Sequence, residues 1–283
     1  MGRPCSCIAP ARRGARSLAA LGPLATLVAL ALLCAGTALA ASFQVSPTRF
    51  EFPLERRFTN FFTVTNNSGA PLRLRVVTSF VEIDAEGKMS ELQNQPLDLA
   101  PWVVFNPRRV TLLAGEKRVV RFTVRPPEQL PTGEFRTVVF FEELPERPDE
   151  QAAASAESGF RIKLLTRVGI TLYGQVGPLA AEIALRDPTV VVSQETLDVS
   201  ALLTNAGNAH AQIAVTAELL GGADTVPAPV EERLTLQRTQ QRRIRLQLQR
   251  PPPGTYRVRL TAASAERTWH QQELPVTIEP PAK

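Results

Sequence analysis

Residues 160–173 read FRIKLLTRVGITLY, with an apolar residue at nearly every second position. Successive side chains of a β-strand point to opposite faces, so this spacing predicts one long strand with one apolar face. An ordinary strand buried on both faces is the alternative. Similar alternating segments recur along the chain, separated by clusters of Pro, Gly and Asn. The pattern predicts an all-β protein.

Eight strands are predicted in the first part of the chain, at residues 43–52, 58–65, 72–83, 102–105, 109–113, 117–124, 134–143 and 160–173. Pro47 predicts an edge or a bulge in the first of them, because proline cannot donate to a strand ladder. Seven or eight strands in roughly 130 residues fit an immunoglobulin-like sandwich. Residues 146–158 (ERPDEQAAASAES) are small and polar, and predict a flexible loop before the last strand.

A second set of strands follows residues 174–178 (GQVGP), which we interpret as a hinge. The predicted strands are residues 181–185, 189–192, 197–204, 212–219, 232–236, 241–248, 254–262 and 268–278. A set of this size fits a second immunoglobulin-like sandwich. We therefore predict two such domains, residues 42–177 and 178–283, joined by the short hinge.

Residues 1–41 have the features of a cleaved signal peptide. The leader contains four Arg and no acidic residue, and an apolar stretch at 18–33 precedes the small residues 38–40 (ALA). The apolar stretch is interrupted by Gly22 and Pro23 and is short for a membrane span. A retained N-terminal anchor is the alternative. Export across the inner membrane is the expected route.

The composition of the remaining chain excludes several kinds of site. All three cysteines, Cys5, Cys7 and Cys34, lie in the leader, so the exported chain has no disulfide and no thiolate ligand or nucleophile. Without the four leader arginines, 28 basic residues face 27 acidic ones, a net charge of +1. A net charge this small gives no overall positive potential that would attract nucleic acid. Residues 238–250 (RTQQRRIRLQLQR) form a local basic run, interpreted as a half-exposed strand with a solvated charged face.

No catalytic constellation is recognisable in the sequence. The two histidines, His210 and His270, have no partner at metal-ligand spacing and are expected on the surface. The sequence also lacks a nucleophile elbow, a phosphate-binding glycine loop and a zinc-protease motif. We therefore predict a protein that is not an enzyme and needs no cofactor or metal.

Several short motifs occur in a fixed order along residues 43–178. They are TR at 48–49, TNN at 65–67, FNP at 105–107, LAGE at 113–116, LPTGEFR at 130–136, FEELP at 141–145 and LY at 172–173. With these motifs the first domain resembles that of the periplasmic pilus-assembly chaperones, the PapD-like family. The resemblance implies an L- or boomerang-shaped pair of sandwiches in the periplasm.

The resemblance implies that the long predicted strand at residues 160–173 is donated to pilus or fimbria-type subunits, whose own sandwich lacks a strand. Ile162, Leu164, Val168 and Ile170 share one face and form the expected subunit-binding row, with Ile162 and Leu164 as the plugs. An outer-membrane usher is the other implied partner. Self-capping of the free protein as a dimer is left open. No nucleic-acid partner and no stable membrane insertion are expected.

In the family an Arg and a Lys anchor the terminal carboxylate of the subunit. Arg49 matches the Arg, since a guanidinium can bind a carboxylate through two parallel hydrogen bonds; a plain salt-bridge Arg is the alternative. The Lys is absent, because Ile170 or Thr171 stands at its place. Arg167 is the candidate replacement, provided that the strand is bulged. The alternative to the whole interpretation is a secreted two-domain immunoglobulin-like structural or adhesion protein.

Overall fold

The computed structural model describes residues 42–145, 164–221 and 227–280. All of them belong to one compact unit, Ala41–Lys283. The predicted signal peptide, the predicted loop at 146–158 and Ile162 lie outside the described residues.

Within the described ranges the secondary structure is strand, apart from one short 3-10 helix at Ala100–Trp102. The strands are β1 (Phe43–Ser46), β2 (Arg49–Pro53), β3 (Phe58–Asn66), β4 (Leu72–Ile83), β5 (Met89–Leu92), β6 (Val103–Asn106), β7 (Arg109–Leu112), β8 (Lys117–Val124), β9 (Gly133–Glu143), β10 (Arg167–Val176), β11 (Ile183–Val192), β12 (Thr196–Asn205), β13 (Ala211–Leu220), β14 (Val230–Leu236), β15 (Gln241–Gln249), β16 (Gly254–Ala263) and β17 (Thr268–Ile278).

These strands build two sandwiches, each made of two sheets. In the first sandwich one sheet has the order β1-β3-β8-β6 and the other β2-β10-β9-β4-β5, with β7 also paired to β4. In the second sandwich the orders are β11-β12-β15 and β14-β13-β16-β17. The prediction of an all-β chain with two immunoglobulin-like sandwiches is confirmed.

Each sandwich has its own apolar core, filled by alternate residues of its strands. In the first core the rings of Phe62, Phe122 and Phe141 meet with centroids 5.0 to 5.2 Å apart. Such aromatic pairs add to the free energy gained by burying their surface. In the second core, branched and aliphatic side chains of β12, β13, β15 and β16 dominate. The two separate cores explain why the sequence shows two successive sets of alternating strands.

The predicted first strand is in fact two strands that belong to different sheets. β1 pairs with β3, whereas β2 pairs in parallel with β10 in the opposite sheet. The chain changes sheets at Pro47 and Thr48 between them. The expected edge or bulge at Pro47 is therefore a crossing between sheets. This crossing brings Arg49 beside β10.

Three other boundaries differ from the sequence prediction. β5 was missed, because its four residues include one partly buried apolar side chain and give no alternation. Two predicted strands merge into β11, which has a register shift between Arg186 and Thr189. β10 runs from Arg167 to Val176 instead of 160–173, so the predicted hinge at 174–178 overlaps its end and residues 177–182 make the connection.

A buried asparagine closes the same kind of turn in both sandwiches. The side-chain amide of Asn66 donates to three carbonyl oxygens, those of Ala70, Leu112 and Leu113, at 2.8 to 3.3 Å. Asn205 repeats this pattern with the carbonyl groups of residues 209, 236 and 237. Buried backbone carbonyls need such partners. The asparagine turn is therefore a structural element of each sandwich.

Candidate functional site

Among the described residues, strand β10 has a strand partner on only one side over its first half. On one side it pairs along its whole length with β9, from Arg167 opposite Glu142 to Val176 opposite Gly133. On the other side β2 pairs only with the second half, starting where Arg49 lies opposite Thr171. Beside residues 167–170 the described residues place no strand on that side. This side of residues 167–170 is the open edge.

The backbone groups that face this open edge follow from the hydrogen-bond pattern. The N–H of Glu143 donates to the C=O of Thr166 at 3.0 Å, so Thr166 directs its carbonyl toward β9. In an antiparallel ladder this direction alternates along the strand. Even-numbered residues of β10 therefore face β9, and odd-numbered residues face away from it.

A second contact supports this assignment. The C=O of Gln175, an odd-numbered residue, accepts from the N–H of Leu54 at 2.8 Å, just beyond β2. Arg167 and Gly169 must then turn their N–H and C=O groups toward the open edge. Unpaired edge groups of this kind are a template for an added strand.

The apolar row of the predicted donor strand divides into two parts. Ile170 is 1% exposed and belongs to the first core, and Val168 is partly buried against the same core. These two side chains were predicted to face a subunit. Ile170 instead packs inside the first core, which corrects that assignment. Val168 also packs against this core and is only partly exposed. Leu164, at 77% exposure, lies free before the strand begins, and Leu165 is 48% exposed.

Arg49 lies at the inner end of the open edge. Its Nε is 3.4 Å from Oε1 of Glu51, and its guanidinium lies 5.1 Å from the ring centre of Tyr173. It lines a cavity of about 550 Å³ together with Thr171 and Tyr173. The side chain is only partly covered, so its remaining donors are available to a ligand in this cavity.

Arg167 does not take part in this cavity. Its guanidinium pairs with Glu91 and, at 2.8 Å, with Glu142, and it lies 3.5 Å from the ring centre of Phe140. The hydrogen bond with Glu91 raises the pKa of Arg167 and lowers that of Glu91. Arg49 lies opposite Thr171. Arg167 comes four residues before Thr171 on β10, which is about 13 Å along the strand. The prediction that Arg167 replaces the missing lysine is therefore wrong.

The register also shows which residue of β10 lies beside Arg49. Thr171 lies directly beside Arg49 and shares its face, whereas Ile170 faces the core. Beside Arg49, β10 therefore presents Thr171, a neutral residue.

His210 is not a surface histidine, which corrects the prediction. Its side chain is 9% exposed and lies between the two sandwiches. Nδ1 is 2.6 Å from Oε2 of Glu134, Nε2 is 3.6 Å from Oε1 of Glu51, and the ring stacks on Tyr173 at 4.0 Å. Residue 210 lies in the connection between β12 and β13. Alternation in the sequence cannot reveal its contact with the first sandwich, because only the tertiary fold brings the two together.

The basic run at 238–250 is also not simply solvated. Arg238 donates to the carbonyl of Glu134 at 3.1 Å, and the N–H of Arg243 donates to the carbonyl of Ala85 at 2.7 Å. Arg243 and Arg245 both bind Glu86, at 3.0 and 2.5 Å, and these hydrogen bonds lower the pKa of Glu86. Much of the run therefore forms a junction with the first sandwich.

The described residues give no indication of metal binding or of a membrane-spanning helix. They contain no group of three or more His, Cys, Asp or Glu placed to hold a metal ion. No helix in the described ranges is long and apolar enough to cross a membrane. The free strand edge and the Arg49 cavity remain as the candidate site.

No protein-family model and no curated protein sequence matches the chain. Among solved structures, the class 5 fimbriae chaperone CfaA is 13% identical, over 84% of this chain and 99% of its own, with a TM-score of 0.44. The CsuC–CsuE chaperone and tip adhesion subunit complex from Acinetobacter baumannii gives 12% identity, coverages of 83% and 98%, and a TM-score of 0.45. The E. coli chaperone DraB is 14% identical, over 82% of this chain and 95% of its own, with a TM-score of 0.41.

These solved structures are fimbrial chaperones, the class that the sequence motifs resemble. The likeness, at TM-scores below 0.5, is too distant to carry a function over to this chain.

Proposed function

We propose that this protein is a periplasmic chaperone that holds pilus or fimbria-type subunits by lending them the strand at its open edge. The observation that carries the proposal is the unpaired half of β10. Arg167 and Gly169 turn backbone groups toward an edge where the described residues place no strand. A subunit whose sandwich lacks a strand needs such an edge to complete its hydrogen bonds.

The side chains next to this edge suit the same purpose. Leu164 has the parity of the core-facing row of β10 but lies before the strand, where it is mostly exposed. Inserted into an apolar groove, a leucine contributes about 1.5–3 kcal/mol. Ile162, which has the same parity, is proposed as the second plug. Val168 and Ile170 are left out of the plug set because they pack against the first core.

The position of Arg49 sets the direction of the bound strand. β2 takes over the edge of β10 at Arg49, so a strand bound to residues 167–170 ends against Arg49. If its terminal carboxylate binds Arg49, the bound strand runs parallel to β10, as β2 does. The strand is thereby fixed at one end by charge and along its length by backbone pairing.

The proposed role is binding and delivery without covalent chemistry. Delivery to an outer-membrane usher belongs to the same proposal, as does export by a cleaved signal peptide. A secreted structural or adhesion protein with two immunoglobulin-like domains is the competing function. Such a protein does not need to keep a partner subunit soluble, and this difference decides between them.

The test is co-expression of the protein with a fimbrial-type subunit in a bacterial periplasm, with the amount of soluble subunit as readout. Leu164→Glu should lower the yield of soluble complex at least tenfold, since a charge replaces a plug in the groove. Val191→Glu is the control, because Val191 is an exposed apolar strand residue of the second sandwich. Equal yields with Leu164→Glu and wild-type protein would contradict strand donation.

A further inference from the structure

The cavity at Arg49 is built by both sandwiches. The first sandwich contributes Arg49, Thr171 and Tyr173. The second contributes Gln237 and Arg242 from the end of β14 and the start of β15. A group bound in this space therefore contacts both sandwiches at once.

Within residues 238–250, Arg242 is the arginine that lines this cavity. Arg238 donates to a backbone carbonyl, and Arg243 and Arg245 bind Glu86. The Nη1 atom of Arg242 is buried and has no hydrogen-bond partner among the described residues. A buried guanidinium nitrogen without an acceptor is costly. Nη1 is therefore a donor that remains for an acceptor entering the cavity.

The first sandwich holds this guanidinium in place through a glycine. Nη1 of Arg242 lies 1.8 Å from where a Cβ on Gly87 would be, and Cζ lies 2.4 Å from the same point. The guanidinium thus rests on the Gly87 backbone, at the wall of the cavity. Any side chain at residue 87 would force it to move.

The charges around the cavity favour an anion. Arg49 and Arg242 are the cations in its lining, and Glu232 is the acid. Glu51 neutralises Arg49 only in part, from 3.4 Å. Hydroxyl and amide groups of Thr171, Tyr173 and Gln237 complete the wall. This mixture of cations and neutral polar groups is suited to a carboxylate.

We propose that Arg242 and Arg49 together bind a client's terminal carboxylate in this cavity, so that the carboxylate is held across the two sandwiches. The inference rests on the proposed function and adds a residue of the second sandwich to it. Client capture then depends on the arrangement of the two sandwiches as well as on the strand edge.

The test measures binding of a synthetic peptide that copies the carboxyl-terminal strand of a co-purifying fimbrial-type subunit. The peptide is made with a free carboxylate and as the carboxyl-terminal amide, which keeps any side-chain acids unchanged. Arg242→Gln should weaken binding of the free-acid peptide about ten- to a hundredfold, the range for a lost charge-assisted hydrogen bond. Binding of the amide should change little.

Two further variants make the result specific. Arg257→Gln is the matched control, since Arg257 is an arginine of the second sandwich that pairs with Glu273 of the same sandwich and lies outside the cavity lining. It should leave the preference for the free acid intact. Gly87→Ala should reproduce the loss, because its Cβ displaces the Arg242 guanidinium while residue 242 stays arginine. Thermal unfolding checks that each variant is folded.

The outcomes separate this inference from the proposed function. An equal loss for both peptides, or no loss with Arg242→Gln while Arg49→Gln abolishes the preference, would overturn the role of Arg242 and leave strand capture standing. Failure of both peptides to bind the wild-type protein would overturn the proposed function, and this inference with it.

Discussion

Arg49 lies where β10 loses its open edge to β2, and its surroundings leave it free to bind a ligand. Within the described ranges it makes one ion pair, with Glu51 at 3.4 Å, and contacts the ring of Tyr173. Ion pairs at partly exposed sites contribute about 1 kcal/mol or less to stability. The residue is therefore better suited to binding than to holding the fold together.

Arg49→Ala should keep the fold but weaken client capture at least tenfold, because the carboxylate loses its main partner. Affinity for a purified subunit and the thermal unfolding midpoint would be measured together. Arg57→Ala, at an exposed arginine of the same sandwich, is the control. Unchanged affinity in a folded Arg49→Ala protein would refute the anchor.

At this scale, Arg49 could be named as a candidate anchor from its TR motif and the family resemblance. The residues that surround it in space could not be named from the sequence. His210 and Arg242 reach the cavity region from the second sandwich, more than 150 residues away along the chain. Alternation shows which face of a strand a residue occupies. It does not show which other element that face meets, so these contacts depended on the tertiary structure.

Among the elements, the asparagine turns are the clearest case of a motif with a structural role. Asn66 satisfies three buried or partly buried carbonyl groups, while Asn67 beside it is exposed. Asn66→Ala should lower the free energy of unfolding by roughly 2–3 kcal/mol, because buried acceptors lose their donor. Urea unfolding measures this difference.

Asn67→Ala is the matched control and should change stability by about 0.5 kcal/mol or less, as usual for exposed positions. Equal, small effects of both substitutions would show that the turn does not depend on the buried amide.

The strands themselves were largely predictable. Period-two alternation and turn clusters located most of them within one or two residues, and β4, β8 and β17 without error. The crossing between β1 and β2 was not predictable in detail, because the residues alternate similarly in either sheet. The start of β10 was also misplaced, since an apolar run does not reveal where strand pairing stops.

At the scale of the whole molecule, Glu86 contributes one part of the junction between the sandwiches. Hydrogen bonds from Arg245 and Arg243 lower its pKa. A lowered pKa in the folded state means that the carboxylate contributes stability above its ordinary pKa and loses this contribution as the pH falls through the lowered value. The junction should therefore loosen in acid and not in mild alkali.

Glu86→Gln should produce the same loosening at neutral pH. The measurement is the exchange protection of the Arg243 amide, which donates to the carbonyl of Ala85 across the junction. Protection should fall in the variant at pH 7 and become equal to that of the wild type in strong acid. Glu231→Gln, which removes an ion pair within the second sandwich, should have no effect.

A pH-independent difference between Glu86→Gln and the wild type would contradict this account of the junction. A junction that includes exposed ion pairs also suits capture of a ligand by both sandwiches, because the ligand can add to its stability.

The most direct test of strand donation is amide hydrogen exchange of β10, with and without a bound fimbrial-type subunit. The amides of Arg167 and Gly169, which face the open edge, should exchange quickly in the free protein and become protected in the complex. The amides of Val168 and Ile170, which face β9, should be protected in both states. Fast exchange of Arg167 and Gly169 in a saturated complex would contradict the proposal that this strand completes the subunit.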